Sequence, residues 1–176
     1  MARIKQLREF GLHTNHRTYV IAEIGINHGG NVDTAKLLID SAAKTGCDAV
    51  KFQTYLTEKR DPKGNQAVFD ILKQCELPFD DFAKIKDHAE SHRMTFFSTP
   101  FAHESLEYLE GIGTELYKIA SFDVVNHALV RDIARTGKPV IMSVGMADHS
   151  EITSAYDILH EKTNQLSYCI ACPPIH

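Results

Sequence analysis

Cysteine is scarce, long apolar runs are absent and positive charge is not in excess, so several classes of protein are excluded. Four cysteines in 176 residues are too few for a disulfide scaffold. Cys169 and Cys172 form a C-x-x-C pair, but no second pair accompanies it, so a zinc or redox site is not expected there. No stretch approaches the roughly 20 apolar residues of a membrane span, and the N-terminus has no apolar signal-peptide core. We therefore expect a cytoplasmic protein that does not cross a membrane.

Charge and length indicate which kind of partner and how many domains to expect. The net charge is −4, and the 19 Lys and Arg residues are spread along the chain rather than clustered. Such a chain has no basic field that would attract nucleic acid or an anionic membrane, so a small molecule is the expected partner. The length fits one domain, residues 1–176, and no linker or low-complexity segment indicates an internal boundary.

Short apolar runs rich in β-forming residues alternate with longer stretches of helical period. The apolar runs predict strands at 19–25, 48–54, 94–98, 115–120, 139–143 and 166–170. The longer stretches predict helices at 34–44, from 80 or 81 to 92, and at 103–110, 126–136 and 151–162. Asp33 and Ser150 are the expected N-caps of the first and last of these helices. The rhythm is typical of βα units and a parallel sheet.

Two architectures fit such a rhythm, a doubly wound open sheet and a (β/α) barrel. After the first strand the chain reads Gly-Ile-Asn-His-Gly-Gly rather than GxGxxG, which disfavours a dinucleotide-binding sheet. The position of the polar residues favours the barrel. A complete barrel takes about 250 residues, so we predict an incomplete α/β TIM-type barrel of six βα units that lacks strands seven and eight.

Polar side chains interrupt or follow the predicted strands near their C-terminal ends, where barrel enzymes assemble their active sites. The candidates are Glu23, Lys51, Gln53, Ser98, Thr99, Lys118, Ser121, Asp123 and Ser143. Lys51 and Gln53 are two residues apart and so share one face of a strand, whereas Ser121 is expected in a loop. For any one of these residues alone, a solvated strand end or a buried ion pair is the favoured explanation. Their recurrence on five strands indicates a site for a small anion such as a phosphate ester, with Glu23 and Asp123 as acid/base groups.

Histidine is the commonest metal ligand, and the chain contains ten. His28 follows the first strand and is a candidate for substrate contact. Five others fall on predicted helices or their edges, where solvent is the expected partner: His88, His92, His103, His149 and His160. No HxH or HExxH motif is present, so a local metal site is not expected.

Five sequence blocks, in this order and spacing, resemble the N-acetylneuraminate (sialic acid) synthase family. The blocks are IAEIGINHGG, DAVKFQTY, FFSTPF, YKIAS and GKPVIMSVGM, and the resemblance runs over about residues 18–169. The family includes legionaminate-type and spore-coat-polysaccharide synthases. Its members condense phosphoenolpyruvate with an N-acylated amino sugar such as N-acetylmannosamine, releasing phosphate and forming a nine-carbon α-keto acid.

The resemblance also implies roles for individual residues. Glu23 would face the reacting carbons, and Asp123, where relatives often carry Glu, would be an acid/base candidate. Substrate contacts are expected from Lys51, Gln53, Ser98, Thr99, Lys118, Ser121 and Ser143. Except for Gln53, these residues would hold the phosphate and carboxylate of phosphoenolpyruvate.

The family mechanism needs Mn²⁺ or Mg²⁺ as a Lewis acid, with histidine ligands on strands seven and eight, outside this chain. A C-terminal antifreeze-like domain, which in relatives helps to bind the sugar across a homodimer, is also expected to be absent. Residues 168–174 depart from the family pattern, because apolar residues or proline replace a polar residue and a tyrosine.

Two other functions remain open beside the synthase. A truncated, non-catalytic homologue would bind phosphoenolpyruvate or assemble with another chain through its open sheet edges. A synthase that uses a phosphorylated sugar such as arabinose 5-phosphate fits the sequence blocks less well.

Overall fold

The computed structural model describes residues 7–10, 17–61, 64–162 and 168–170. The chain forms two compact units. One comprises residues 17–114, and the other comprises residues 115–176 together with residues 1–16. We call them the N-terminal-half unit and the C-terminal-half unit. In the described part of the chain, no helix combines the length and the apolar character needed to cross a membrane.

The N-terminal-half unit is built on three parallel strands, in which β2 pairs with both β1 and β3. The strands are β1 (Ile21–Gly25), β2 (Ala49–Thr54) and β3 (Thr95–Pro100). The helices are α1 (Val32–Lys44), α2 (Thr57–Arg60), α3 (Gln66–Cys75), α4 (Phe79–Ser91) and α5 (His103–Gly111). α1 and α4 pack against each other.

The helices of this unit bury one side each, as their sequence period predicts. The buried side of α1 carries Ala35, Ile39 and Ala42, and that of α4 carries Phe82, Ile85 and Ala89. Burying Ile39, Phe82 or Ile85 contributes on the order of 1.5–3 kcal/mol each, and the smaller alanine side chains contribute less. These two apolar stripes therefore hold α1 and α4 in place.

The ends of α1 and α4 follow standard capping chemistry, with one difference from expectation. Asn31, not Asp33, is the N-cap of α1, and its side-chain oxygen accepts a hydrogen bond from the Thr34 amide at 2.9 Å. α4 ends in a Schellman motif, in which the Met94 amide donates to the Ala89 carbonyl at 3.1 Å. Arg93 occupies the left-handed position of this motif with a φ of 61°.

The C-terminal-half unit also contains three parallel strands, in which β5 pairs with both β4 and β6. The strands are β4 (Tyr117–Ile119), β5 (Val140–Ser143) and β6 (Tyr168–Ile170). The helices are α6 (His127–Arg135) and α7 (His149–Lys162), with short 3-10 turns at Leu7–Phe10 and Ser121–Asp123. Asp148 accepts a hydrogen bond from the Glu151 amide at the start of α7, a role that the sequence assigned to Ser150.

All six predicted strands and all five predicted helices are present, and the α/β class with parallel strands is confirmed. α2 and α3 were not predicted. They lie in the connection between β2 and α4, where the α2 segment is a polar tetrapeptide without an apolar period. The number of strands in a complete barrel stays a prediction, and residues 171–174, which depart from the family pattern, lie outside the described residues.

Candidate functional site

Glu23, Lys51, Gln53 and Thr99 come together on β1, β2 and β3, between the middle of these strands and their C-terminal ends. In the strand register Glu23 is the partner of Lys51, and Gln53 is the partner of Thr99. Partners in a parallel sheet point to the same face, and side chains two residues apart share that face. The four side chains therefore line one face of the sheet. With Arg60, described below, we call them the strand-end cluster.

Lys51 is the centre of the strand-end cluster. Its Nζ lies 3.0 Å from Glu23 Oε2 and donates a hydrogen bond to Thr99 Oγ1 at 3.2 Å. The Lys51 side chain is 8% exposed, whereas the Glu23 side chain is 57% exposed. Burial lowers the pKa of Lys51, and the nearby Glu23 carboxylate opposes that shift. The cluster thus presents a buried cation beside a carboxylate that solvent and ligands can reach.

Arg60, at the C-terminal end of α2, adds a second cation that the sequence interpretation missed. Its guanidinium donates a hydrogen bond to Gln53 Oε1 at 2.8 Å. The same guanidinium lies over the rings of Tyr55 and Phe101, 4.7 Å and 4.0 Å from the ring centroids. Such cation–π contacts orient the planar guanidinium. The sequence interpretation missed this contact because α2, which positions Arg60, was not predicted. The only sequence signal for it is the short separation of seven residues between Gln53 and Arg60.

Gly25 ends β1 with a φ of +57°, a conformation that favours glycine. A Cβ atom at this position would lie 3.1 Å from Glu23 Oε1 and 3.5 Å from Gln53 Nε2. A side chain here would therefore crowd the carboxylate and the amide of the strand-end cluster. Backbone conformation and close side-chain neighbours therefore explain why a glycine occupies position 25.

Ser98 and His28 are not brought to the strand-end cluster. Ser98 is the register partner of Phe52, lies on the opposite face of the sheet and hydrogen-bonds Thr54 at 2.7 Å. His28 stacks on Phe52 with 6.0 Å between ring centroids. Its Nδ1 accepts a hydrogen bond from the Gly30 amide at 3.1 Å, and burial lowers its pKa. His28 is therefore a buried imidazole that packs against Phe52.

The C-terminal-half unit holds the remaining sequence candidates, again at strand ends. Lys118 lies on β4 and its Nζ donates to the Ile119 carbonyl at 2.7 Å. Ser143 ends β5 on the same face as Lys118, as the pairing of Lys118 with Ile141 shows. Ser121 begins the 3-10 turn after β4, as expected from its spacing, and Asp123 in that turn is buried.

The expectation of a solvent partner was wrong for His88 and His92, and His103 also has a carboxylate partner, Glu107, at 3.2 Å. His88 and His92, four residues apart on α4 and its C-cap, both hydrogen-bond Asp40 Oδ1 of α1, at 2.7 Å and 2.8 Å. Their partner is a carboxylate on a neighbouring helix rather than solvent. The i, i+4 spacing was visible in the sequence, but the carboxylate is 48 residues from His88 and its position depends on helix packing.

The chemistry of the strand-end cluster suits an anion. A lysine ammonium has three N–H donors, and Lys51 directs two of them at Glu23 and Thr99 among the described residues. The remaining donor can serve a ligand oxygen. The described strand ends hold no group of three His, Cys, Asp or Glu side chains close enough to bind a metal. Among the described residues, the strand ends therefore supply no complete ligand set for the divalent metal that the family resemblance implies, whose ligands are expected outside this chain.

Comparisons with known proteins show which family the chain is similar to. The model of the NeuB family matches residues 38–173. A protein of Methanocaldococcus jannaschii is 38% identical over 160 residues, covering 89% of this chain and 47% of the relative. Pseudaminic acid synthase of Campylobacter jejuni is 33% identical over 165 residues, covering 86% of this chain and 48% of the relative. The chain thus spans about half the length of the curated relatives it matches.

A solved structure shows the same likeness in three dimensions. The N-acetylneuraminic acid synthetase of Leptospira borgpetersenii, crystallised with citrate, superposes with a TM-score of 0.87 at 35% identity. The match covers 92% of this chain and 56% of that protein. Together with the extent of the family match, this likeness shows that the chain belongs to the NeuB family.

Proposed function

We propose that this protein takes part in a phosphoenolpyruvate-dependent condensation with an N-acylated amino sugar. The product would be a nine-carbon, sialic-acid-like α-keto acid, formed with release of phosphate. The observation that carries the proposal is the buried Lys51 ammonium at the strand ends of a NeuB-family chain, held by Glu23 and Thr99. The names of the relatives, which are sugar-acid synthases, support the class of product.

Each member of the strand-end cluster has a role in this proposal. Lys51 and Thr99 contact the phosphate or carboxylate of phosphoenolpyruvate, because a cation in a site of low polarity stabilises an anion more strongly than it would in water. Glu23 moves a proton at the reacting carbons, for which its exposed carboxylate is accessible. Gln53, held by Arg60, contacts the sugar.

In the C-terminal-half unit, we propose anion contacts for Lys118, Ser121 and Ser143 and an acid/base role for Asp123. Ser98 and His28 are left out of the proposed set, because they lie on the face of β2 and β3 opposite Lys51. When bound, a divalent metal would polarise the sugar aldehyde. In solution we expect the protein to act as a homodimer.

The test measures binding and turnover separately. Phosphate release is followed with phosphoenolpyruvate, N-acetylmannosamine and Mn²⁺, each omitted in turn, while phosphoenolpyruvate binding is measured by calorimetry. Release that requires all three components supports the proposal. Binding without release favours the non-catalytic homologue, and absence of both binding and release contradicts both functions.

Replacing Lys51 gives a sharper test. We expect Lys51→Ala to lower kcat/KM, or the affinity for phosphoenolpyruvate, by about 100-fold or more, the range seen when one preorganised charge-stabilising group is removed. Lys84→Ala is the matched control, because Lys84 lies on α4 in an exposed ion pair with Asp81 at 2.7 Å. Circular dichroism checks that both variants fold. Near-normal kinetics in folded Lys51→Ala would exclude the anion role.

A further inference from the structure

Asp40, His88 and His92 form a group on the helices of the N-terminal-half unit that the proposed synthase chemistry does not use. Asp40 lies in the second half of α1, His88 in the last turns of α4, and His92 is the C-cap of α4. We name this group the helix-pair triad. We propose that the helix-pair triad binds a divalent transition-metal ion of the Zn²⁺ class.

The three ligand atoms already converge. His88 Nε2 and His92 Nε2 lie 2.7 Å and 2.8 Å from the same oxygen, Asp40 Oδ1. All three atoms lie within 4.8 Å of one another. In a tetrahedral zinc site, bonds of about 2.0–2.1 Å place the ligand atoms about 3.3 Å apart. An ion therefore needs the Asp40 oxygen to move away from each ring nitrogen by about half an ångström. The two ring nitrogens, which lie within 4.8 Å of each other, must also reach this spacing, and side-chain rotations can supply both changes.

The spacing of the histidines is the one that helical metal sites use. Residues four apart lie on the same face of a helix, so two imidazoles at i and i+4 can hold one ion. A neutral imidazole can carry its proton on Nδ1, which leaves Nε2 free to coordinate. The ion would then lie between the two Nε2 atoms and Asp40 Oδ1, in place of the present hydrogen bonds.

The ligand set decides which metal fits. Two imidazoles and a carboxylate suit Zn²⁺, Ni²⁺ or Cu²⁺, whereas Mg²⁺ and Ca²⁺ prefer sites made of oxygen. Three protein ligands leave a fourth position for water. The side chains are 28–36% exposed, so an ion can reach them from solvent.

The position of the triad indicates a stabilising role. α1 ends at Lys44 and α4 ends at Ser91, a few residues before β2 and β3 begin, so the C-terminal ends of both helices lie near the N-terminal ends of these strands. The strand-end cluster lies towards the other end of these strands. An ion held by Asp40 and the two histidines would cross-link α1 to α4, and binding to the folded state alone raises its stability by mass action.

The test titrates the untagged, metal-free protein with Zn²⁺ by calorimetry, alone and with excess Mg²⁺. We expect saturable binding of one ion that Mg²⁺ does not displace. Asp40→Asn, His88→Gln and His92→Gln should each weaken this binding by about tenfold or more. Zn²⁺ should also raise the thermal unfolding midpoint of the wild type and not that of the His88→Gln/His92→Gln double variant.

His103→Gln is the matched control. His103 also pairs with a carboxylate four residues away, at 3.2 Å from Glu107, but this pair supplies one imidazole only. Its removal should leave Zn²⁺ affinity unchanged. Equal binding by the wild type and the double variant overturns the proposal, as does wild-type binding that Mg²⁺ displaces. Neither readout depends on synthase activity, so this proposal and the proposed function can fail separately.

Discussion

Lys51 and His28 are both buried beside β2, and their pKa values fall for the same reason, because burial disfavours a charged group. Their surroundings differ. Lys51 faces the Glu23 carboxylate, which favours the ammonium, whereas His28 lies against the Phe52 ring. The first arrangement favours the charged ammonium, and the second favours the neutral ring.

His28 should make the stability of the protein depend on pH. The unfolded chain takes up a proton on this histidine near the ordinary pKa of 6.5, and the folded chain does so only at lower pH. The stability that neutral His28 contributes is therefore fully present above about pH 6.5. It is lost as the pH drops towards the lowered pKa of His28 in the folded state. We expect His28→Gln to lose less stability than the wild type between about pH 7.5 and about pH 5. Urea unfolding at both pH values measures this difference, and identical losses would contradict it.

At the scale of elements, helix ends and strand register position the functional groups. The Schellman motif after α4 turns the chain from His92 into β3 through Arg93. The register of β2 and β3 then determines that Thr99 meets Lys51 while Ser98 meets Thr54. A shift of one residue would exchange the two faces.

Arg93 offers a test of this helix end. An L-residue in the left-handed conformation costs about 1–2 kcal/mol, and glycine avoids that cost but loses more entropy on folding. We expect Arg93→Gly to raise the free energy of unfolding by about 0.5–1 kcal/mol. Arg93→Ala removes the same side chain but keeps the strained backbone, so it should give no gain. Urea unfolding in the presence of a chelator compares the two, and equal stability would contradict the strain argument.

At the scale of the whole molecule, ligand binding and folding are linked. A ligand that binds only the folded state stabilises it by about 2.7 kcal/mol when present at 100 times its Kd. We therefore expect phosphoenolpyruvate to raise the thermal unfolding midpoint of the wild type and of Lys84→Ala. It should raise the midpoint of Lys51→Ala much less. An equal rise in all three proteins would place phosphoenolpyruvate away from Lys51.

The sequence by itself determined the α/β class, the six strands and the family. These features depend on local periodicity, on capping residues and on blocks of contiguous residues, all of which can be read along the chain. It also predicted that Lys51 and Gln53, two residues apart, share one face of a strand, and their positions within β2 confirm this.

Only the tertiary structure decided which distant residues meet. It placed Ser98 and His28 on the opposite face of β2 and β3, and it brought Asp40 to His88 and His92. The physical reason is that these contacts join residues up to 52 positions apart. Such contacts depend on strand register and helix packing, which are set by the burial of apolar side chains. The polar groups on the same elements are brought together as a result, and no local sequence pattern indicates which of them meet.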